Sequence, residues 1–297
     1  AQVARTEREL LVLLPKPLDR RGERRRSPLL EAAYLARRLA EAGLKGLVFA
    51  GARKSAELIA RYAAHPLVRP YRAGYTARER RRLEADLKEG RVRVLVSTSA
   101  LELGVDIGEL DAVVLVGYPG STAAFWQRAG RAGRGERRAL LVYIPREDPM
   151  DEYFLHRPAL LLESPPEEAV ADPQNPVLCP LHLHAAAREK PLLAEELLCP
   201  EARATLKERN GRFFTPKRNP HREITLRGLG ATFTLRGPDG EVLGYLDERQ
   251  AYWEAHPGAI YLHQGESYLV RNVDLARREV WLLPALEDYY TEPRAET

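Results

Sequence analysis

Short apolar runs that alternate with helical patterns constrain this chain more than any other feature. Gly46-Leu-Val-Phe-Ala-Gly51, Val92-Arg-Val-Leu-Val96, Ala112-Val-Val-Leu-Val116 and Ala139-Leu-Leu-Val-Tyr-Ile144 are too short for helices and too uniformly apolar for strands with one wet face. Strands buried on both faces belong to parallel sheets covered by helices on each side. The intervening segments supply those helices. Pro28 opens an amphipathic stretch carrying Leu30, Ala33, Tyr34, Leu35 and Leu39, which Gly43 ends. Ser55 to Tyr62 reads as a second helix and Leu67 to Tyr71 as a further strand. Thr76 to Glu89 reads as a third helix, with Thr76 as N-cap, Glu79 in the capping-box position and Gly90 as its stop. Thr122 to Ala129 forms a fourth, short one. Sheets of this kind bind ligands in loops beyond the carboxyl ends of their strands, where the Gly-rich and polar segments of this chain fall.

The pattern changes after Pro149. A helical stretch at 151–163 is interrupted by Pro158, and Pro165, Pro166, Pro173, Pro176 and Pro180 follow, a density that marks a domain change. Helical patterns at 182–188, 192–198 and 202–207 suggest a small unit of winged-helix type. From Gly211 the period becomes two: Ile224–Arg227, Ala231–Arg236, Val242–Leu246, Ala259–Leu262, Tyr268–Val270 and Glu279–Leu283 read as short antiparallel strands, with a turn at Gly237-Pro-Asp-Gly240. The expected architecture is therefore α/β: a basic lead-in over 1–27, a parallel-sheet domain over 28–148, a helical unit over 149–210 and a β-rich accessory domain over 211–297.

Charge divides along the same line. Residues 1–148 carry 29 Lys and Arg against 18 Asp and Glu, whereas the remainder carries 17 against 24. A positive field over the first half favours a polyanionic partner. There is no apolar run of eighteen residues and no secretory layout at the N-terminus, so neither membrane span nor export is expected and the cytoplasm is the expected compartment. Cys179 and Cys199 are the only cysteines and are expected to stay reduced. The chain begins without Met and is expected to be part of a longer protein.

Two segments carry the chemistry. Gln127-Arg-Ala-Gly-Arg-Ala-Gly-Arg134 places Gln127, Arg131 and Arg134 close together, with glycines that allow near approach of backbone to a partner. A guanidinium keeps its charge and presents a fork of donors, which suits it to a γ-phosphate as charge spreads during phosphoryl transfer. Val96-Ser-Thr-Ser-Ala-Leu-Glu-Leu-Gly-Val-Asp-Ile-Gly108 delivers hydroxyls from Ser97, Thr98 and Ser99 at the end of a buried strand. Gly104 and Asp106 follow, with a carboxylate placed to orient a nucleotide sugar or pair with an Arg. Two further loops, Ala50-Gly-Ala-Arg-Lys-Ser55 with Arg53 and Pro70-Tyr-Arg-Ala-Gly-Tyr75 with Arg72 and Gly74, each run from strand to helix and suit backbone phosphates. Arg78, Arg80, Arg81 and Arg82 read as a solvated helix face.

With these residues in view a resemblance is evident. Phe49–Glu57, Ser97–Gly108 and Gln127–Arg134 resemble motifs IV, V and VI of superfamily-2 helicases of the DEAD/DEAH type, in the right order, over a second RecA-like domain. Asp172-Pro-Gln-Asn-Pro176, His182-Leu-His184, His256-Pro-Gly-Ala-Ile-Tyr-Leu-His-Gln-Gly265, Tyr268-Leu-Val270 and Tyr289-Tyr-Thr291 are similar to the YprA/MrfA branch, the mitomycin-repair DNA helicases. The resemblance implies an ATP-dependent 3′-to-5′ motor on single-stranded or fork DNA, acting in repair and using ATP and Mg2+. It implies that Gln127, Arg131 and Arg134 face ATP held by a preceding RecA-like domain. Gly104 and Asp106 would couple nucleotide to strand, and Arg53, Arg72, Gly74, Thr98 and Ser99 would hold the strand backbone.

The departures matter as much. No Gly-x-x-x-x-Gly-Lys-Ser/Thr loop and no Asp-Glu-x-His or Asp-Glu-x-Asp box in motif order occurs; Asp151-Glu152 lies after motif VI and is rejected. The four-cysteine metal region of the narrower family is also absent. The chain alone is therefore expected to bind no cofactor and to be inactive. Cys179, His182, His184 and Cys199 have a zinc ligand inventory but a spacing that fits no common finger, so buried thiols and a helix-facing His pair are the reading preferred. Phe213, Phe214, Trp253 and Tyr268 have the chemistry to stack on bases but read as core. An adaptor built on a helicase-like scaffold and an RNA helicase are the alternatives.

Overall fold

The computed structural model describes residues 8–21, 24–102, 105–133, 138–168, 170–224, 231–287 and 289–292. Its chain divides into two units, residues 1–167 with 231–297 and residues 168–230.

The first unit begins with β1 (Arg8–Val12), α1 (Pro28–Glu41), β2 (Gly46–Phe49), α2 (Arg53–Ala63), β3 (Val68–Tyr71), α3 (Ala77–Glu89) and β4 (Val94–Ser97). It continues through β5 (Ala112–Val116), α4 (Thr122–Ala129), β6 (Ala139–Ile144), α5 (Pro149–His156) and α6 (Ala159–Glu163). Six strands form one parallel sheet in the order β1-β6-β5-β2-β4-β3. Alternation along each strand feeds two cores. Leu47, Phe49, Leu95, Val113, Leu115, Leu141 and Tyr143 pack under α3 and α4, whereas Val48, Val94, Val96, Val114, Val116 and Val142 face α1 and α2. The latter helices present mostly alanine, including Ala32, Ala33, Ala36, Ala56, Ala60 and Ala63, which brings their backbones close to the sheet. The capping box on α3 forms between Thr76 and Glu79, and Gly90 ends the helix in the left-handed region.

One expectation changes here. Residues 8–12, read as lead-in, pair with β6 from Arg8↔Ala139 to Val12↔Tyr143 and form an edge of the sheet. The run Arg-Glu-Leu-Leu-Val is too short to register as a strand by pattern alone, and its partner lies 131 positions downstream in that register.

The second unit contains α7 (Leu178–Glu189), α8 (Pro200–Thr205) and the hairpin β7 (Lys207–Arg209) with β8 (Arg212–Phe214) around a core of Leu183, Ala187, Leu192, Ala202, Leu206 and Phe213. The hairpin thus belongs with the helices, although the change of period at Gly211 pointed to a boundary there. Cys179 and Cys199 are joined as a disulfide, with Cα atoms 6.3 Å apart. This corrects the expectation of two reduced thiols: Cys179 on α7 and Cys199 at the start of α8 are brought together by helix packing that spacing does not reveal. His184 uses both ring nitrogens, on Thr215 Oγ1 at 2.8 Å and Thr205 Oγ1 at 3.0 Å.

The chain then returns to the first unit as β9 (Thr232–Arg236), β10 (Val242–Asp247), α9 (Glu248–Glu254), β11 (Ile260–His263), β12 (Glu266–Asp274) and β13 (Glu279–Ala285). They form a curled sheet in the order β10-β9-β13-β12-β11 around Phe233, Leu235, Leu246, Val270, Val280 and Leu282. The strand expected at 224–227 falls mostly outside the described residues. The architecture is α/β with a RecA-like parallel sheet and a β-rich sheet.

Candidate nucleotide and nucleic-acid interface

The segment 127–133 leaves the end of α4, where Gly133 N–H donates to Leu110 O at the entry of β5. The loops at 50–55 and 98–99 instead leave the carboxyl ends of β2 and β4. The two sets of residues therefore lie at opposite ends of the sheet. Glu102 and Val105, between them, are held from α4. Arg128 Nε donates to Glu102 Oε2 at 2.8 Å, with both side chains largely buried. Arg131 is 4% exposed and donates to Glu102 O through Nε at 3.0 Å and Nη2 at 2.8 Å, and to Val105 O through Nη1 at 2.7 Å. Its planar fork suits three backbone acceptors better than a point charge does. Gln127 is exposed on the same helix end. Arg134 and Gly104 lie outside the described residues.

Asp106 is exposed, accepts from Lys88 Nζ at 2.8 Å and receives Gly108 N–H at 3.1 Å, which shapes the turn. Thr98 is half-buried and Ser99 exposed at the end of β4. Ser97, fully buried, has a hydroxyl with no hydrogen-bond partner among the described residues. Arg53 sits in the first turn of α2, and its Nη1 is buried without a partner among the described residues.

Arg72 and Gly74, expected beside Arg53 as phosphate contacts, are committed elsewhere. Arg72 is 2% exposed, ion-paired through Nε with Glu57 Oε1 at 3.1 Å, and donates through Nη2 to Leu262 O at 2.9 Å. It also lies over the rings of Tyr75 and Tyr261. Glu57, fully buried, accepts from Tyr75 Oη at 2.6 Å, Gln264 N at 3.2 Å and Gly265 N at 2.8 Å. Gly74 O accepts from Tyr245 N at 2.8 Å, and a Cβ at Gly74 would meet Tyr245 O at 2.7 Å. The 72–75 loop is therefore the seam between the parallel and β-rich sheets. Buried arginines are seldom left without a partner, and here the partner comes from β11, nearly two hundred positions away.

Glu79 completes the seam. Burial raises its carboxyl pKa, but His263 and the Thr76 hydroxyl and amide outweigh burial and hold it down to about 2. Asp151, rejected as part of an acidic box because it lies after motif VI, is fully buried and accepts from Tyr118 N at 2.7 Å and from the Tyr143 hydroxyl. Sequence reasoning missed Arg128, Glu102 and Glu57. Arg128 was signalled by its position one helical turn before Arg131; Glu57 gave no local sign of burial.

Chemically, the described residues leave the Gln127 amide and the Asp106 carboxylate exposed at one end of the sheet, and the Thr98 and Ser99 hydroxyls near Arg53 at the other. Among the described residues no group of three or more His, Cys, Asp or Glu is placed to hold a metal ion. No helix is long and apolar enough to cross a membrane among them.

Residues 30–136 match the helicase conserved C-terminal domain. The chain is 32% identical over 304 residues to the ATP-dependent helicase YprA of Bacillus subtilis, covering 94% of this chain and 40% of that protein. It is 31% identical over 279 residues to the ATP-dependent helicase hrq1 of Schizosaccharomyces pombe, covering 86% of this chain and 26% of that one. The structure superposes with a TM-score of 0.80 on the DUF1998 helicase MrfA bound to DNA and AMPPNP, at 30% identity over 97% of this chain and 43% of the other. The chain thus spans two fifths or less of the length of these curated relatives.

Proposed function

We propose, from a chain that carries the helicase conserved C-terminal domain and is homologous to the YprA and Hrq1 ATP-dependent helicases, that it is the second motor lobe of a 3′-to-5′ DNA helicase acting in repair. A preceding lobe with a P-loop and an acidic box holds ATP and Mg2+. This lobe presents Arg134 to the γ-phosphate, Gln127 and Asp106 to the nucleotide, and Arg53, Thr98 and Ser99 to the strand. MrfA, which shares this fold, has been seen with DNA and AMPPNP, which supports DNA over RNA as the partner.

The observation that carries this reading is the hold on Glu102 and Val105 by Arg128 of α4 and Arg131 just beyond it. Any shift of the 127–134 segment toward a phosphate is transmitted to the loop that begins at Thr98. Nucleotide binding at one end of the sheet is thereby linked to grip on a strand at the other. Glycines at 130 and 133 allow the close approach this requires.

The test joins the preceding lobe to this chain and measures DNA-stimulated ATP hydrolysis. Arg134→Ala is expected to lower turnover by about a thousandfold, the low end for an arginine finger. Near-normal turnover in both Arg131→Ala and Arg134→Ala overturns the assignment. The chain alone is expected to bind single-stranded DNA weakly, with affinity that falls steeply as salt rises.

A further inference from the structure

Where residues 52–55 approach β11, they enclose a cavity of about 370 Å³. Its wall includes Lys54, Ser55, Arg72, Trp253, Glu254 and Tyr261. That volume lies within the ~300–1,000 Å³ of sites that take small organic groups. Three features mark it as a site rather than a packing gap. Tyr261 is 4% exposed, yet among the described residues its hydroxyl makes no hydrogen bond. Glu254 is likewise unpaired there, and burial raises its carboxyl pKa against the opposing pull of Arg72 and Arg53. Trp253 stands 50% exposed at the wall, whereas Phe213 is core and Tyr268 packs against the β-rich core. The cations of the wall are already engaged, Arg72 by Glu57 and Lys54 by Glu292 and Thr291 O. A flat indole face, a carboxyl and a phenol match the face and polar edge of an unstacked nucleobase: stacking supplies affinity and the polar groups read the base edge.

Arg53 stands in sequence between Ala52 and Lys54 of this wall, and its Nη1 is buried without a partner among the described residues. We propose that the cavity receives one unstacked base of the bound single strand, stacked on Trp253 with its edge toward Glu254 and Tyr261. The proposal rests on the strand-gripping reading above. Grip would then involve a base as well as phosphates, shared between the parallel sheet and the β-rich sheet.

Binding of the full chain to a single-stranded DNA oligonucleotide and to an abasic oligonucleotide of the same length, followed by fluorescence anisotropy, tests it. The two carry the same phosphates, so their difference reports bases alone. Wild type is expected to prefer the intact strand, and Trp253→Ala to erase about tenfold of that preference, the scale of one base stack. Trp253→Phe should retain most of it. Tyr261→Phe, which removes only the hydroxyl, should alter the ranking of oligothymidine against oligodeoxycytidine. Salt-sensitive binding with equal affinity for intact and abasic strands, or a preference untouched by Trp253→Ala, overturns the cavity assignment and leaves the phosphate grip standing. Absence of strand binding overturns both.

Discussion

Arg131 shows how a motif residue can be legible by type while its work is decided by its surroundings. Its three donors are spent on Glu102 O and Val105 O. Replacing it with Ala takes the donors from two part-buried carbonyls, at up to about 1–3 kcal/mol each. Arg131→Ala is therefore expected to lower the unfolding midpoint and to increase amide exchange over 98–108, whereas Arg134→Ala changes turnover in the joined enzyme. A stability loss of equal size in both variants would count against this division of labour. Glu57 and Arg72 form a second buried pair, and truncation of one partner strands the other charge. Arg72→Ala is expected to cost about 3–5 kcal/mol in urea unfolding. Glu79 adds a pH term with a definite sign. Its carboxyl is held at about 2 in the fold, below the ordinary ~4.3 of a free Glu. Its stabilisation is complete above that ordinary value and is lost as pH falls toward 2. Acid titration of unfolding should show a shallower decline over this window in Glu79→Gln.

Among elements, those whose signals are local were readable. The bounds of β5 and β6 follow from uninterrupted apolar runs, α4 falls on the stretch read from Thr122 to Ala129, and the Thr76 box with Gly90 fixes α3 at both ends. What depends on distant chain was not. β1 needs β6 to exist, the disulfide needs α7 beside α8, and the 72–75 loop resembled a phosphate loop until β10 and β11 supplied its partners. Residues 49–57 and 256–265 were both recognisable as motifs, but nothing in either announced that Glu57 receives the Gln264 and Gly265 amides. Two element-level tests follow. Gly74→Ala drives a methyl toward Tyr245 O and is expected to cost about 1–3 kcal/mol while leaving helix content intact by circular dichroism. The disulfide closes a loop of separation 20, worth about 3 kcal/mol in the chain-entropy account. Reduction or Cys199→Ser should then raise amide exchange in residues 178–214 and leave the parallel sheet protected; uniform loss of protection would show that the bond supports more than its own unit.

For the molecule as a whole, the seam at Glu57 and Arg72 makes the β-rich sheet a continuation of the motor lobe. Within the first unit the junction is polar and buried at once: Arg72, Glu57, Tyr75 and His263 are each under 4% exposed. Apolar contacts tolerate sliding because any close arrangement serves, but buried hydrogen-bonded charges fit one register only. The β-rich sheet should therefore travel with the lobe when the two motor domains close, carrying the wall formed by Trp253 and Tyr261 with it. Loosening the seam separates two activities that otherwise change together. In the joined enzyme, Gly74→Ala leaves the 127–134 segment and its hold on Glu102 untouched, so DNA-stimulated ATP hydrolysis is expected to persist. Strand displacement on a fork needs the grip to move with the lobe, and is expected to fall several-fold more than hydrolysis does. Parallel loss of hydrolysis and unwinding in this variant would mean that the seam serves stability alone.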